Sequence, residues 1–256
     1  MKTVIIGAGN VATHLSIAMK DAGFDIVQVY SRSEEHAQDL ANRLECNYTV
    51  VIQCITRDAD IYIFSVKDDA LPGIIRQTPA NDGLWLHTAG SISIDVFKGY
   101  SNCYGVIYPL QTLSKHRKTD FGSIPLFVEG NTRESEADVL RIALALSGKI
   151  RIMSSEKRRY LHLAAVFACN FTNHLYAIAT AILEEQDIDS QVILPLVLET
   201  ANKLRRMTPE NAQTGPAIRY DKDVIDSHLA MLDDEDLREI YLKLSENIHK
   251  TAIKQK

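Results

Sequence analysis

Gly7, Gly9 and Ala12 are spaced as Gly-x-Gly-x-x-Ala, directly after a short β-branched run, Lys2 to Ile6. In such a turn the first glycine permits a tight reversal and the second lets the backbone approach a pyrophosphate. The small third residue keeps the next helix close to the sheet. Asn10 and Val11 open that helix, whose free N–H groups and positive dipole end suit phosphates. The chemistry indicated is dinucleotide binding. A bare tight turn, and a methyltransferase binding S-adenosylmethionine, are the alternatives.

The end of the second strand refines this expectation. Folds that bind NAD place Asp or Glu about 20 residues beyond the glycines, on the ribose 2′-hydroxyl. This chain has Tyr30-Ser31-Arg32-Ser33 there, with a guanidinium and two hydroxyls instead of an acid. Such groups suit a 2′-phosphate, so Ser31, Arg32 and Ser33 favour NADP over NAD. Glu34 and Glu35 are read as opening the next helix, where acids suit the dipole.

Further groups fall at later strand ends. Ser65, Val66 and Lys67 lie at the end of a buried strand and are expected along the cofactor, with Asp68 and Asp69 starting a helix. Thr88 and Ala89 follow the fifth strand at the nicotinamide end, and Ser91 is placed on a polar substrate group. His87, the last strand residue, is read first as a hydrogen-bonded core histidine. In Tyr108-Pro109-Leu110-Gln111-Thr112, Gln111 is the residue expected to face the cleft.

A long apolar stretch, Leu161 to Leu183, carries His162, Val166, Asn170, Asn173 and Ala177 at spacings of 4, 4, 3 and 4. On a helix these share one face. His162 is the candidate proton donor, and Asn170 the group that orients a carbonyl or imine. Asn173 is placed with the substrate. The partner for this face is a neighbouring helix, a second subunit or that substrate. In Thr214-Gly215-Pro216-Ala217-Ile218-Arg219-Tyr220-Asp221, Arg219 can hold a substrate carboxylate or pair with Asp221 or Asp223.

The elements that must position these groups alternate strand and helix up to Lys149–Met153, and are helical after Ser154. Strands are read at 2–6, 25–30, 50–52, 60–66, 84–87, 104–108, 124–129 and 149–153. This is an α/β doubly wound, mostly parallel sheet followed by an all-helical C-terminal domain, with the boundary between 153 and 154. Leu161 to Leu183 is read as a buried helix of a soluble protein, because His162, Asn170, Thr172, Asn173 and His174 interrupt it.

Composition agrees. Lys plus Arg total 28 against 33 Asp plus Glu, a net charge of −5, which argues against nucleic acid as a partner. The four cysteines include no CxxC pair, so no zinc ribbon or disulfide framework is expected, and no metal site. With no secretory pattern at the start, a cytoplasmic location without a membrane partner is expected.

The segments GAGNVA at 7–12, FSVKDDAL at 64–71, HTAGS at 87–91, YPLQT at 108–112, LHLAAVFACNF at 161–171 and TGPAIRYD at 214–221 span nearly the whole chain. Together they resemble a family that joins two domains. The first is a Rossmann domain similar to that of pyrroline-5-carboxylate reductases and deazaflavin-dependent NADP oxidoreductases. The second is a helical domain of unknown function, of the 2520 type. The resemblance implies an NADP(H)-dependent oxidoreductase that forms a homodimer through its helical domain, and implies no substrate. Related β-hydroxyacid dehydrogenases carry a lysine four residues before an asparagine. Here Val166 precedes Asn170 and Cys169 precedes Asn173 at that distance, so that lysine is missing. The expected activity is hydride transfer between NADPH and a small imino or keto acid; the alternative is a dinucleotide-binding sensor or scaffold without turnover.

Overall fold

A computed structural model describes residues 1–254 apart from His116 and Lys118. The β-branched run KTVII forms β1 (Lys2–Ile6), and the glycine turn leads into α1 (Asn10–Asp21). Then follow β2 (Asp25–Tyr30), α2 (Glu34–Leu44), β3 (Asn47–Thr49), β4 (Ile61–Phe64), α3 (Leu71–Gln77) and β5 (Leu84–His87). The next elements are β6 (Tyr104–Pro109), β7 (Leu126–Gly130), α4 (Arg133–Leu146) and β8 (Ile150–Ile152).

The strands form one sheet in the order β3-β2-β1-β4-β5-β6-β7-β8. All neighbouring pairs are parallel except β6 and β7. The order reverses between β1 and β4, the kind of crevice where open α/β sheets bind ligands. Successive strand residues face opposite sides, and both sides are covered. Ile5, Ile63, Leu86 and Ile107 pack with Leu15 of α1, Leu40 of α2 and Val139 of α4. Val4, Phe64, Trp85 and Val106 pack with Ile75 of α3 and with Phe97. This is the doubly wound, mostly parallel Rossmann-type architecture expected from the sequence.

Two local expectations need correction. The third strand is Asn47–Thr49, not Val50 to Ile52, which is where a 3-10 turn begins. β3 is an edge strand paired only with β2, so hydrogen bonding to Gln28–Tyr30, and not an apolar run, selects it. Asp68 and Asp69 lie in a turn, and the helix starts at Leu71 with Pro72 in its first turn, where the missing N–H costs nothing. Further on, a 3-10 turn at Ser190–Ile193 leads into a regular helix at Leu194, with Pro195 in its first turn.

After β8 the chain is helical: α5 (Ser155–Ala165), a π-helical turn (Val166–Phe171) and α6 (Thr172–Glu184) form one continuous rod. Then come α7 (Leu194–Lys203), α8 (Pro209–Ala212), α9 (Pro216–Arg219), α10 (Lys222–Ala230) and α11 (Glu235–Lys254). Two compact units divide at Leu175/Tyr176, inside α6. Within the second, α9, α10 and α11 pack together. The His249 ring bonds the Ile218 carbonyl there at 3.2 Å and stacks on Tyr220 at 4.8 Å.

Candidate functional site

Strand register builds the site. Ile6 pairs with Tyr30 on one side and Phe64 on the other, and Phe64 pairs with His87. The residues that follow, Gly7, Ser31, Ser65 and Thr88, therefore form a row along the carboxyl edge. Backbone bonds continue the row: Gly7 N–H to Tyr30 at 2.8 Å, Ser65 N–H to Ile6 at 2.8 Å and Thr88 N–H to Phe64 at 3.2 Å. The Thr88 hydroxyl donates to Ser65 Oγ at 3.1 Å.

The two glycines act differently. Gly7 has φ +121°, and a Cβ there would lie 2.1 Å from the Ser65 carbonyl oxygen, so the turn is pressed against β4. Gly9 faces open space, with nothing within 4 Å of a Cβ built on it. It caps α1 without a side-chain bond, and the first turn holds no acid. The unpaired N–H groups of that turn are thus free for an anion. These features fit a dinucleotide pyrophosphate.

A cleft of about 1180 Å³ opens over this edge. Gly7, Gly9, Asn10 and Val11 line it, as do Ser31, Arg32 and Ser33 at the end of β2. Ser33 caps α2 by accepting from His36 N–H at 3.4 Å, and Glu34 and Glu35 sit in that helix's first turn, as expected. Arg32 is exposed and makes no ion pair among the described residues. Ser65, Val66, Lys67, Thr88 and Ala89 continue the lining.

At another part of the wall the Tyr108 hydroxyl lies 3.2 Å from His162 Nδ1, with the rings edge to face. Gly90 packs beneath them: a Cβ there would lie 2.7 Å from His162 Nδ1 and 2.9 Å from Tyr108 Cζ. Burial pushes the Tyr108 phenol up; Arg158 opposes that shift, while Asp68 and Cys169 add to it. Tyr108 was not singled out from the sequence. Its neighbour Gln111 was, and it too lines the cleft, but its Oε1 accepts from the Thr112 N–H at 2.9 Å.

A buried network anchors α5. Arg158, fully buried, donates to Glu129 Oε2 and to the Ile92 carbonyl, each at 2.6 Å. Ser155 Oγ donates to the same Glu129 oxygen at 2.6 Å and accepts from the Ile94 N–H at 2.9 Å. The network ties β7 and the segment after β5 to the first turn of α5, one helical turn before His162. Neither Glu129 nor Arg158 carries a sequence signal, because partners 29 residues apart show no local periodicity.

His87 has no solvent exposure, as the core reading expects, and is not part of the cleft lining. Its Nδ1 accepts the Ala89 N–H at 3.2 Å, while its Nε2 has no partner among the described residues. Burial pushes its pKa down to about 3, and the Arg158 charge adds to that shift.

The expected single face from His162 to Ala177 is altered by the π-turn, where the Thr172 hydroxyl bonds the Phe167 carbonyl five residues back. The wider turn brings Ala165, Ala168 and Cys169 to the cleft beside His162 and Asn170. Asn173 is exposed and outside the lining. Ser91 is also outside it, its hydroxyl bonded to the Asp68 carboxylate. Arg219, exposed on α9, belongs to the second unit and makes no ion pair with Asp221 or Asp223. Among the described residues no cluster of His, Cys, Asp or Glu could hold a metal.

The stretch Leu161–Leu183 is not buried as expected; it belongs to the rod Ser155–Glu184. The rod is long and apolar enough, by length and composition, to cross a membrane, and none of its most apolar window is buried. Tyr160, Leu163, Phe167 and Phe171 are all more than half exposed. Periodicity alone could not reveal that exposure.

Residues 2–96 match the family model described as NADP oxidoreductase, coenzyme F420-dependent, and residues 124–248 match a domain of unknown function, DUF2520. No curated protein matches the sequence. Among solved structures, a candidate NADP oxidoreductase from Bacteroides fragilis is 46% identical over 97% of this chain and 98% of its own, with a TM-score of 0.91. A pyrroline-5-carboxylate reductase from Streptococcus pyogenes shares the fold at 16% identity, over 98% of each chain, with a TM-score of 0.62. An imine reductase from Myxococcus stipitatus, in complex with NADP⁺, does so at 16% identity over 99% and 93%, also at 0.62.

Proposed function

Because this chain belongs to the NADP oxidoreductase family that carries a DUF2520 domain, we propose that it reduces a small imino or keto acid with NADPH. One observation carries the reading: the open glycine turn and the Tyr108–His162 pair line a single cleft of about 1180 Å³. That volume exceeds the usual range for one small ligand, roughly 300–1,000 Å³, and suits a dinucleotide with a small substrate beside it.

The roles follow from position. Gly7, Gly9, Asn10 and Val11 receive the pyrophosphate. Ser31, Arg32 and Ser33 hold the 2′-phosphate through charge-assisted bonds. Ser65, Val66, Lys67, Thr88 and Ala89 lie along the nicotinamide half. When bound, the dinucleotide supplies the hydride. His162 holds a proton at the substrate end, and Asn170 orients the polar group that is reduced.

The exposed apolar rod supports a second part of the reading: a homodimer through the helical region. Apolar side chains this dense and this exposed mark an interface. A second copy fits better than a bilayer, since His162, Asn170, Thr172, Asn173 and His174 interrupt the rod.

Calorimetric titration with NADPH and with NADH, repeated on Arg32→Ala, tests the cofactor assignment. NADPH is expected to bind more tightly than NADH, and the variant to lose about tenfold or more for NADPH alone, as for one charge-assisted contact. Equal affinities for both cofactors in the wild type would sink it.

A further inference from the structure

We propose that Tyr108 is the residue that hands a proton to the substrate and that His162 recharges it. The inference rests on the reductase reading and deepens it. Both side chains line the cleft, and they meet at 3.2 Å. Tyr108 sits near the end of β6, on the sheet's carboxyl edge, and His162 comes from α5 above it. Gly90 leaves no room for the pair to drift, because even a methyl group there would touch both rings. The Glu129–Arg158 anchor fixes α5 one turn earlier. Two side chains that can each give a proton are thus held in contact, by buried structure, at the wall of the cleft.

The step balances as follows. The hydride brings its electron pair to the substrate carbon, and the C=N or C=O π pair takes the Tyr108 hydroxyl proton, forming N–H or O–H. The phenol oxygen takes the Nδ1 proton of the His162 imidazolium, which becomes neutral. Solvent then returns a proton to His162. The substrate is reduced and the dinucleotide oxidised. A phenol raised by burial stays protonated at neutral pH, so the proton is present when needed. The charged and titratable groups facing Tyr108 besides His162 are Arg158 from α5, Asp68 from the turn after β4 and Cys169 from the π-turn.

Three measurements on the full chain separate this inference from the reading beneath it. Calorimetry with NADPH should give equal affinity for wild type, Tyr108→Phe and His162→Gln; absence of binding to the wild type overturns the reductase reading itself. With histidine ¹⁵N-labelled and NADP⁺ bound, the His162 ring should show Nδ1 engaged. Tyr108→Phe should shift its tautomer balance. NADPH oxidation with the cyclic imine 1-pyrroline should fall about tenfold or more in kcat for each variant, with KM within about twofold. The double variant should be no worse than the poorer single one, because the two act as a unit. A Tyr108→Phe protein with kcat within twofold of wild type, or with unchanged His162 resonances, overturns the proposal. If the wild type leaves 1-pyrroline unreduced, the resonances alone decide.

Discussion

The Arg158 guanidinium meets the Glu129 carboxylate at 2.6 Å one helical turn before His162. A buried ion pair thereby sets the height of a cleft residue one turn further along the helix. Burial disfavours the Arg158 charge, and Glu129 offsets only part of that cost. Such a pair adds little net stability, yet losing one partner strands the other.

Glu129→Ala is therefore expected to cost about 3–5 kcal/mol, read as a lower urea midpoint with unchanged slope. Replacing both partners by apolar residues, Glu129→Leu with Arg158→Met, should recover much of that loss. A double variant less stable than Glu129→Ala would refute the account.

The two glycines of the first turn should separate stability from binding. Gly9→Ala meets nothing within 4 Å, so the unfolding temperature should hold while NADPH affinity falls about tenfold or more, the added methyl group standing where the pyrophosphate approaches. Gly7→Ala combines φ +121° with a clash on the Ser65 carbonyl, so it should also destabilise the fold, by about 1–3 kcal/mol or more. Paired thermal unfolding and calorimetry check both. Equal unfolding temperatures for the two variants would contradict this.

Gly90→Ala should act at the other part of the cleft. The new methyl group would press on His162 and Tyr108, and the rings must part. NADPH affinity should stay within about twofold of wild type while the His162 ¹⁵N shifts move toward those of Tyr108→Phe, since only the pair is disturbed. Shifts identical to wild type would mean that the packing yields without separating them.

Acid should weaken the fold through His87. Its folded pKa, about 3, lies below the ordinary imidazole value of about 6.5. Above that value the residue is neutral in both states and its contribution is complete. As pH falls the unfolded chain takes up a proton that the folded one refuses, and stability drops by about 1.4 kcal/mol per pH unit until about pH 3. Between pH 7 and pH 5, wild type should lose about 2 kcal/mol more than His87→Gln, measured by urea unfolding. Parallel losses in the two proteins would remove His87 from the account.

The exposed rod gives a further test. Phe167 is 63% exposed, so the Phe167→Glu chain should still fold, with unchanged helix content. In sedimentation at micromolar concentration the wild type should run as a dimer and the variant as a monomer. A monomeric wild type that binds lipid vesicles would assign the apolar face to a bilayer instead.

What could be read from the sequence was what is local. The turn at Gly7 and Gly9, the cap at Ser33 and the long alternation of strand and helix all lie within a few residues of one another. The same holds for His87, whose place at a strand end already spoke for the core. The Glu129–Arg158 and Tyr108–His162 pairs are different, because they join residues 29 and 54 positions apart and leave no periodic trace. The third strand was misplaced because Asn47–Thr49 owes its extended form to its neighbour β2 and not to its own side chains. The face read from His162 to Ala177 assumed 3.6 residues per turn throughout, and one wider turn was enough to send Asn173 elsewhere.

A π-turn is an α-helix with one residue too many, so Val166–Phe171 can be treated as an insertion that the rod has absorbed. Deleting a single residue there should let the rod close into ordinary α-helix, at no cost in backbone hydrogen bonding. Because the wider turn already takes up the extra residue, Phe171 and Leu175 would keep their direction relative to His162. The π-turn is thus what holds the apolar face and the cleft wall in phase in spite of that residue. A shortened chain should keep both its helix content and that alignment.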